Sequence, residues 1–132
     1  MVLGHDVVAL VRHALLLVIC SSLLASCALW SGLTARRLTG EWRYADATQS
    51  CQYVFSADGT FRGAVSLSGK KVSQFTGRWR IQGNRLMYLY TGDARGRIPA
   101  GSTDEDTLIT VTRDHFDIEA ADGSRRTYRR VR

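Results

Sequence analysis

Proline, histidine and cysteine are scarce in this sequence of 132 residues, which holds one proline, three histidines and three cysteines. Beyond residue 27 the only histidine is His115 and the only cysteine is Cys51. One histidine and one distant cysteine do not make a set of metal ligands, and a single cysteine forms no internal disulfide bond. The sequence therefore predicts no metal site and no cofactor. Cys51 is either buried, the alternative we favour, or free to bridge two chains.

Acidic residues are outnumbered, with 12 Asp and Glu against 18 Lys and Arg, for a net charge of +6. Hydrophobic residues make up 45% and charged residues 23%, which is typical of a folded domain and excludes a disordered chain. A basic surface serves solubility or attracts anionic partners, of which we favour lipid headgroups over nucleic acid. No nucleic-acid partner is expected.

The N-terminal region contains an uncharged, mostly apolar run, residues 14–25, preceded by Arg12 and His13. The run is too short for an ordinary membrane-spanning helix and is typical of a secretory signal peptide. Removal of residues 1–26 from the 132 leaves 106, which is enough for one domain with a single core.

The run ends in Leu24-Ala25-Ser26-Cys27, which resembles the lipobox of bacterial lipoproteins. The resemblance implies that the Cys27 thiol receives a diacylglyceryl group with chains such as palmitate, and that the signal is then cut before Cys27. In such lipoproteins an aspartate directly after the lipidated cysteine retains the protein at the inner membrane. This sequence has Ala28 at that position, so the resemblance implies an outer-membrane location facing the periplasm in a Gram-negative host. The alternatives are an ordinary secretory signal with a chance cysteine and an uncleaved membrane anchor.

Residues 27–37 are interpreted as the lipidated cysteine and a tether, which spans at most about 35 Å if extended. Trp30 is placed either at the bilayer interface beside Arg36 and Arg37 or against the folded domain.

Residues 38–132 are interpreted as an all-β domain of eight short strands. The predicted strands cover residues 38–45, 50–57, 60–67, 72–81, 85–91, 107–112, 115–121 and 124–131. Asp58-Gly59, Ser68-Gly69, Gly83-Asn84 and Asp122-Gly123 are dipeptides that accept positive φ, and they predict two-residue hairpins between antiparallel neighbours. Eight such strands favour an up-and-down barrel, because closure removes unpaired edges.

Alternation within the strands predicts the inner face of this barrel. The residues placed on that face are Cys51, Tyr53, Phe55, Phe61, Gly63, Val65, Leu67, Phe75, Gly77, Trp79, Ile81, Leu86, Tyr88, Tyr90, Ile109, Val111, Phe116 and Ile118. The sequence from Thr39 to Arg43 returns in similar form from Thr76 to Arg80. In both copies a glycine precedes a tryptophan by two residues, which predicts that each ring plugs a barrel end.

Gly40-Glu41-Trp42 resembles the Gly-x-Trp signature that opens the first strand of lipocalins and related calycins. This resemblance implies a ligand-binding barrel, although lipocalins are longer and carry a helix after the strands. A second resemblance, from Gly40, Trp42 and Cys51, is to small periplasmic inhibitors of bacterial metalloproteases. Those inhibitors close a disulfide bond that this sequence does not provide.

No catalytic constellation is visible, since no serine is marked as a nucleophile beside His115, and we interpret that histidine as a turn residue. Asp104-Glu105-Asp106 lacks the alternating oxygen spacing of a calcium loop and is interpreted as a solvated loop tip. Residues 92–106, with the only proline, form the longest irregular segment and a candidate partner-contacting loop. The last strand holds Arg125, Arg126, Arg129, Arg130 and Arg132, either as a solvated edge or as a footprint on an anionic surface.

The sequence thus predicts a lipid-anchored envelope protein that is not an enzyme. The first hypothesis is binding of a small hydrophobic ligand in the barrel mouth, lined by Trp42, Tyr53, Phe61, Trp79 and Tyr88. The alternative is that the same rings only fill the interior of a small barrel as its core. We favour this alternative, because a small eight-stranded barrel is largely filled by its own side chains. The second hypothesis is protein recognition through the tether and the 92–106 loop, either to inhibit a secreted hydrolase or to support an envelope assembly.

Overall fold

The computed structural model describes the backbone from Leu3 to Arg132, together with the side chains of residues 11–15, 18, 19, 26 and 29–132. The chain divides into two compact units that meet between Trp30 and Ser31. The first unit is helical from Leu3 onward, as part of helix α1 (Leu3–Leu38). No helix among the described residues combines the length and the apolarity that a membrane span requires.

The second unit contains a closed barrel in which every strand bonds to its neighbour in the chain and β8 returns to β1. The all-β class, the eight strands and their antiparallel up-and-down order are confirmed. The strands are β1 (Gly40–Ala45), β2 (Gln49–Phe55), β3 (Thr60–Leu67), β4 (Lys70–Gln82), β5 (Arg85–Asp93), β6 (Thr103–Val111), β7 (His115–Glu119) and β8 (Arg125–Arg130).

The segment before the barrel is helix, whereas the sequence interpretation placed residues 28–37 in a tether and began the first strand at Leu38. Thr34 and Leu38 are buried, and Ala35 packs against the core. The Leu38 carbonyl accepts a hydrogen bond from the Trp42 indole at 2.7 Å. The last helical turn is therefore part of the barrel's packing, and we call the end that it covers the closed end and the opposite end the mouth.

The four predicted turns all connect neighbouring strands, but only two of them are two-residue hairpins. Ser68 and Gly69, with φ of 47° and 77°, make the tight turn between β3 and β4. Asp58 lies in a longer turn, where its carboxylate accepts a hydrogen bond from the Thr60 amide at 2.9 Å, and Asp122 does the same for Ser124 at 2.9 Å. Each aspartate thus stabilises a longer connection, of residues 56–59 and of residues 120–124, by accepting the backbone N–H two residues further on.

Aromatic side chains fill the barrel. All four phenylalanines, all five tyrosines and two of the three tryptophans belong to the core or pack against it. The rings contact one another at centroid distances such as 4.8 Å for Trp42 and Phe116 and 5.0 Å for Phe55 and Trp79. The interior is therefore occupied by the chain's own side chains, as expected for a small eight-stranded barrel.

The glycines of the repeated motif make room for this packing. A Cβ atom on Gly77 would collide with the carbonyl oxygen of Leu89 on the neighbouring strand, and one on Gly40 would collide with the Arg130 guanidinium. Trp79 donates its indole N–H to the Ser56 carbonyl at 3.1 Å, as Trp42 does to Leu38. The two copies of the motif thus each place a buried tryptophan in the core, with its indole N–H bonded to a backbone carbonyl.

Two predicted core residues are exposed, one at a bulge and one at a strand end. Ile109 is 46% exposed, because it is the extra residue where the pairing of β6 with β7 shifts, and Leu108 points inward instead. An extra residue in a strand moves the residues after it to the other face. Leu67 is 41% exposed because it is the last residue of β3.

The acidic run Asp104-Glu105-Asp106 lies in a strand, and its interpretation as a loop tip is wrong, because β6 begins at Thr103. Glu105 faces outward and pairs with Arg85 at 3.3 Å. Asp106 points inward and accepts a hydrogen bond from the Tyr88 hydroxyl. The irregular segment between β5 and β6 is accordingly shorter than predicted, residues 94–102, and its Ile98 packs against the core.

Candidate functional site

Polar groups reach the barrel interior at the mouth. They come from the ends of strands whose inward positions carry tyrosine, aspartate and arginine in place of aliphatic residues. The set comprises Tyr44, Cys51, Tyr53, Tyr88, Tyr90, Asp106, Arg126 and Tyr128, and we call it the mouth cluster.

Tyrosine rings form the floor of this cluster. Tyr53 lies 5.9 Å from Tyr88 and 5.6 Å from Tyr128, measured between ring centroids. Tyr88 is buried, whereas Tyr53 is half-buried. The cluster therefore combines packed aromatic rings with phenol hydroxyl groups. Among these tyrosines, Tyr53 is partly open to solvent.

Asp106 carries a negative charge into this aromatic surrounding. Its carboxylate accepts a hydrogen bond from the Tyr88 hydroxyl at 2.8 Å. Burial raises the pKa of Asp106 to about 6, although the bond from Tyr88 opposes that rise. This carboxyl group therefore gains a proton at mildly acidic pH, unlike an exposed aspartate.

Arg126 brings the opposite charge. Its guanidinium lies 5.8 Å from the centre of the Tyr44 ring. Burial raises the pKa of Tyr128, so that its phenol stays protonated and can donate a hydrogen bond. Arg126 opposes this rise in the pKa but does not cancel it. The mouth thus offers a cation, an acid and several phenol hydroxyls around an aromatic floor, which suits recognition by hydrogen bonds and stacking.

Cys51 is buried within the same cluster at 3% exposure. The Gln49 amide donates a hydrogen bond to its sulfur at 3.4 Å, and burial raises the pKa of the thiol. The expectation that Cys51 is buried is confirmed, and a disulfide bond between chains would require it to be uncovered.

The five aromatic residues selected from the sequence are brought together inside the barrel. Four of them are buried core: Trp42, Phe61, Trp79 and Tyr88. Only Tyr53 is partly accessible. Sequence reasoning missed the charged members, because Asp106 was placed in a loop and Arg126 on an outer surface. The signal was present in β8, where alternation places Arg126 on the same face as Tyr128.

His115 opens β7 in a tight turn. Its Nδ1 lies 3.0 Å from the Thr112 hydroxyl, and its Nε2 lies 3.8 Å from an Asp117 oxygen. The Thr112 hydroxyl also donates to the His115 carbonyl at 2.9 Å and accepts the His115 amide at 3.1 Å. These bonds commit the hydroxyl to the turn, which matches the interpretation of His115 as a turn residue.

Among the described residues, no group of three or more His, Cys, Asp and Glu side chains is placed to hold a metal ion. Of the lipobox residues, Ser26 is exposed, and the side chains of Leu24, Ala25 and Cys27 lie outside the described residues. Trp30 is 63% exposed.

A groove of about 770 Å³ lies on the outer wall of the barrel, across β4, β5 and β6. Met87 and Leu89 form its apolar part, flanked by Arg78 and Arg80. Asp104 and Glu105 also line the groove, but both are exposed, and Glu105 pairs with Arg85 at 3.3 Å. We place the candidate site at the mouth, because Asp106, Arg126 and the tyrosine hydroxyls lie together there on the inner face of the barrel.

A scan against protein-family models and a search of curated proteins both return no match for this chain.

Proposed function

We propose that this chain is a bacterial lipoprotein, held to a membrane by acyl chains on Cys27, whose lipocalin-like barrel is a non-catalytic binding module. The support for the anchor is the sequence Leu24-Ala25-Ser26-Cys27 directly after an uncharged apolar run. Ala28 favours the outer membrane, with the barrel facing the periplasm. Two or more acyl chains are sufficient for stable anchoring.

The mouth cluster carries the proposal of a binding role. The deeper interior is filled by rings, whereas at the mouth Asp106 accepts a hydrogen bond from Tyr88 and Arg126 lies over the Tyr44 ring. The half-buried ring of Tyr53 lies 5.9 Å from that of Tyr88. Buried charges that serve stability alone are costly compared with apolar side chains. The cluster fits a small amphipathic ligand that stacks on a ring and accepts and donates hydrogen bonds at the mouth.

Metabolic labelling with an alkyne analogue of palmitate tests the anchor. We expect label on the wild-type chain and on the control Cys51→Ser, and none on Cys27→Ser, because only Cys27 follows the lipobox. Equal labelling of Cys27→Ser would overturn the lipoprotein assignment.

Native mass spectrometry of the chain released from its own envelope tests the mouth. We expect an additional mass of a small molecule on the wild-type chain and on Arg125→Gln, whose arginine points outward to Glu119. The Arg126→Gln variant should lose that mass while its far-ultraviolet circular dichroism stays unchanged. A clean protein mass for the wild-type chain would contradict ligand binding.

Protein recognition is a second candidate, favoured by the segment between β5 and β6. Ile98 holds this segment against the core, and Arg95 and Arg97 are exposed beside it. Among the described side chains neither arginine makes an ion pair. Crosslinking in intact cells should capture an envelope protein with the wild-type chain and lose it with Arg95→Gln/Arg97→Gln. Retention of the same partner by that variant would remove this segment from the interface.

A further inference from the structure

The closed end of the barrel carries a cleft of about 690 Å³ that four arginines line: Arg36, Arg37, Arg113 and Arg130. Arg36 and Arg37 come from the last turn of α1, Arg113 from the turn between β6 and β7, and Arg130 from the end of β8. The fold therefore concentrates positive charge from three separate parts of the chain at one end.

Three of these arginines are available to a partner. Arg36, Arg37 and Arg113 are exposed, and none of them makes an ion pair with a described side chain. Arg130 differs, because its guanidinium donates to the carbonyls of Arg37 and Arg113, both at 2.6 Å. Asp114, the acidic residue beside Arg113, is paired with Arg132 at 2.9 Å. The cleft therefore has unpaired positive charge around one rigidly held arginine.

The last turn of the helix has two different faces. Thr34 and Leu38 are buried against the barrel, whereas Leu33 is 55% exposed on the side that carries Arg36 and Arg37. An exposed leucine beside two arginines is the pattern of a surface that rests at a membrane interface.

We infer that the closed end of the barrel docks on anionic lipid headgroups, with Arg36, Arg37 and Arg113 as the contacting charges. The inference rests on the proposed lipid anchor, because the chain enters the barrel at this end. Arg36 lies nine positions after Cys27, so that an anchored Cys27 keeps the backbone of Arg36 within about 32 Å of the bilayer even if the segment is extended.

This surface differs from the footprint that the sequence suggested on the last strand. Arg126 lies in the mouth cluster, Arg130 binds backbone carbonyls, and Arg125 and Arg132 pair with acidic residues. The arginines at the end of the chain therefore do not form one basic surface. The available charges come instead from the helix end and the β6–β7 turn.

Partitioning between vesicles tests the inference on the full chain with Cys27→Ser, which removes any acyl group. Vesicles of phosphatidylcholine are compared with equimolar phosphatidylcholine and phosphatidylglycerol. The variant Arg36→Gln/Arg37→Gln/Arg113→Gln is compared with Arg43→Gln/Arg62→Gln/Arg80→Gln, which loses the same charge from the exposed barrel wall. The measured quantity is the ratio of binding to anionic vesicles over binding to neutral vesicles. At low salt this ratio should fall on the order of 100-fold in the first variant, at about fivefold per arginine, and much less in the second variant.

Equal losses in the two variants would assign the preference to net charge and overturn the docking surface, as would absence of any preference. Binding of a DNA duplex that depends on the three arginines, without vesicle preference, would assign the cleft to nucleic acid. Arg36 and Arg37 also favour the helix C-terminus, but that effect changes stability and not the choice between vesicles. The vesicle experiment uses a chain without an acyl group, so it is independent of the palmitate labelling. A negative vesicle result therefore does not affect the test of the Cys27 anchor, and a negative labelling result does not affect the vesicle comparison.

Discussion

Arg130 joins parts of the chain that are far apart in the sequence. Its guanidinium lies 4.2 Å from the centre of the Trp42 ring and donates hydrogen bonds to the carbonyls of Arg37, Thr39 and Arg113. The Arg37 and Thr39 carbonyls lie where the helix ends, where carbonyl groups lack helical partners. One side chain thus connects the helix end, the β6–β7 turn and the seam between β1 and β8.

Replacing Arg130 by methionine should lower the free energy of unfolding by about 2–4 kcal/mol, because several charge-assisted hydrogen bonds and a cation–π contact are lost together. Urea denaturation measures the change. The neighbouring Arg129 is exposed and serves as a control, for which Arg129→Met should change stability by less than about 0.5 kcal/mol. Equal effects of the two changes would show that Arg130 does not join these segments.

Asp106 predicts how stability depends on pH. Its pKa is raised to about 6 in the folded protein from an ordinary value of 3.8, mainly by burial. Between these values the folded state binds more protons than the unfolded state, so stability falls as pH rises. The pKa values of Asp46 and Asp93 are lowered from 3.8 to about 2, so their stabilising effect is complete above about pH 5 and is lost as pH falls towards 2.

The wild-type protein should therefore lose on the order of 1–2 kcal/mol relative to Asp106→Asn as pH rises from about 4 to about 7. The amide keeps an acceptor for the Tyr88 hydroxyl and removes the buried charge. Thermal unfolding across this pH range, compared between the two proteins, measures the difference. Parallel pH profiles would contradict a buried, titrating Asp106.

At the scale of elements, the sequence predicted the strands that alternate regularly and are bounded by turn dipeptides. It did not predict correctly the strands that contain a bulge or an acidic run. β3 and β7 begin where predicted, because Asp58-Gly59 and a short apolar pattern mark them. β6 was placed too late, since three consecutive acidic residues are atypical of strands. The bulge at Ile109 has no signal in the alternation, which explains why Ile109 was assigned to the core instead of Leu108.

The last turn of α1 was missed for a related reason. The sequence places Leu38 beside strand β1, and its role in closing the barrel depends on contacts with distant residues. The mouth cluster was predicted in part, through Tyr53 and Tyr88. Alternation in β8 already places Arg126 on the same face as Tyr128, whereas Asp106 became recognisable only when the structure placed it in β6 with its side chain on the inner face.

Leu38 tests whether the helix end belongs to the barrel. Its side chain is fully buried, so Leu38→Ala should cost about 2–4 kcal/mol in unfolding free energy through the cavity it leaves. Leu33 lies on the same helix, is 55% exposed, and should tolerate alanine with a change below about 0.5 kcal/mol. Chemical denaturation of both variants measures this. A neutral Leu38→Ala would show that residues 31–38 are an independent tether.

At the scale of the whole molecule, the two ends of the barrel have different characters. The mouth gathers tyrosines with one buried acid and one arginine, whereas the closed end gathers exposed arginines around the helix terminus. This polarity supports an arrangement in which the closed end faces a membrane and the mouth faces away from it. Filled cores favour stability over deep ligand pockets, which restricts the proposed ligand to the mouth.

Intact mass spectrometry of the chain recovered from the membranes of the cells that produce it tests the central claim most directly. The account predicts a protein that begins at Cys27 and carries the added mass of a diacylglyceryl group, with or without a third acyl chain. A mass equal to the unmodified sequence, or one cut elsewhere and without lipid, would contradict the proposed anchor.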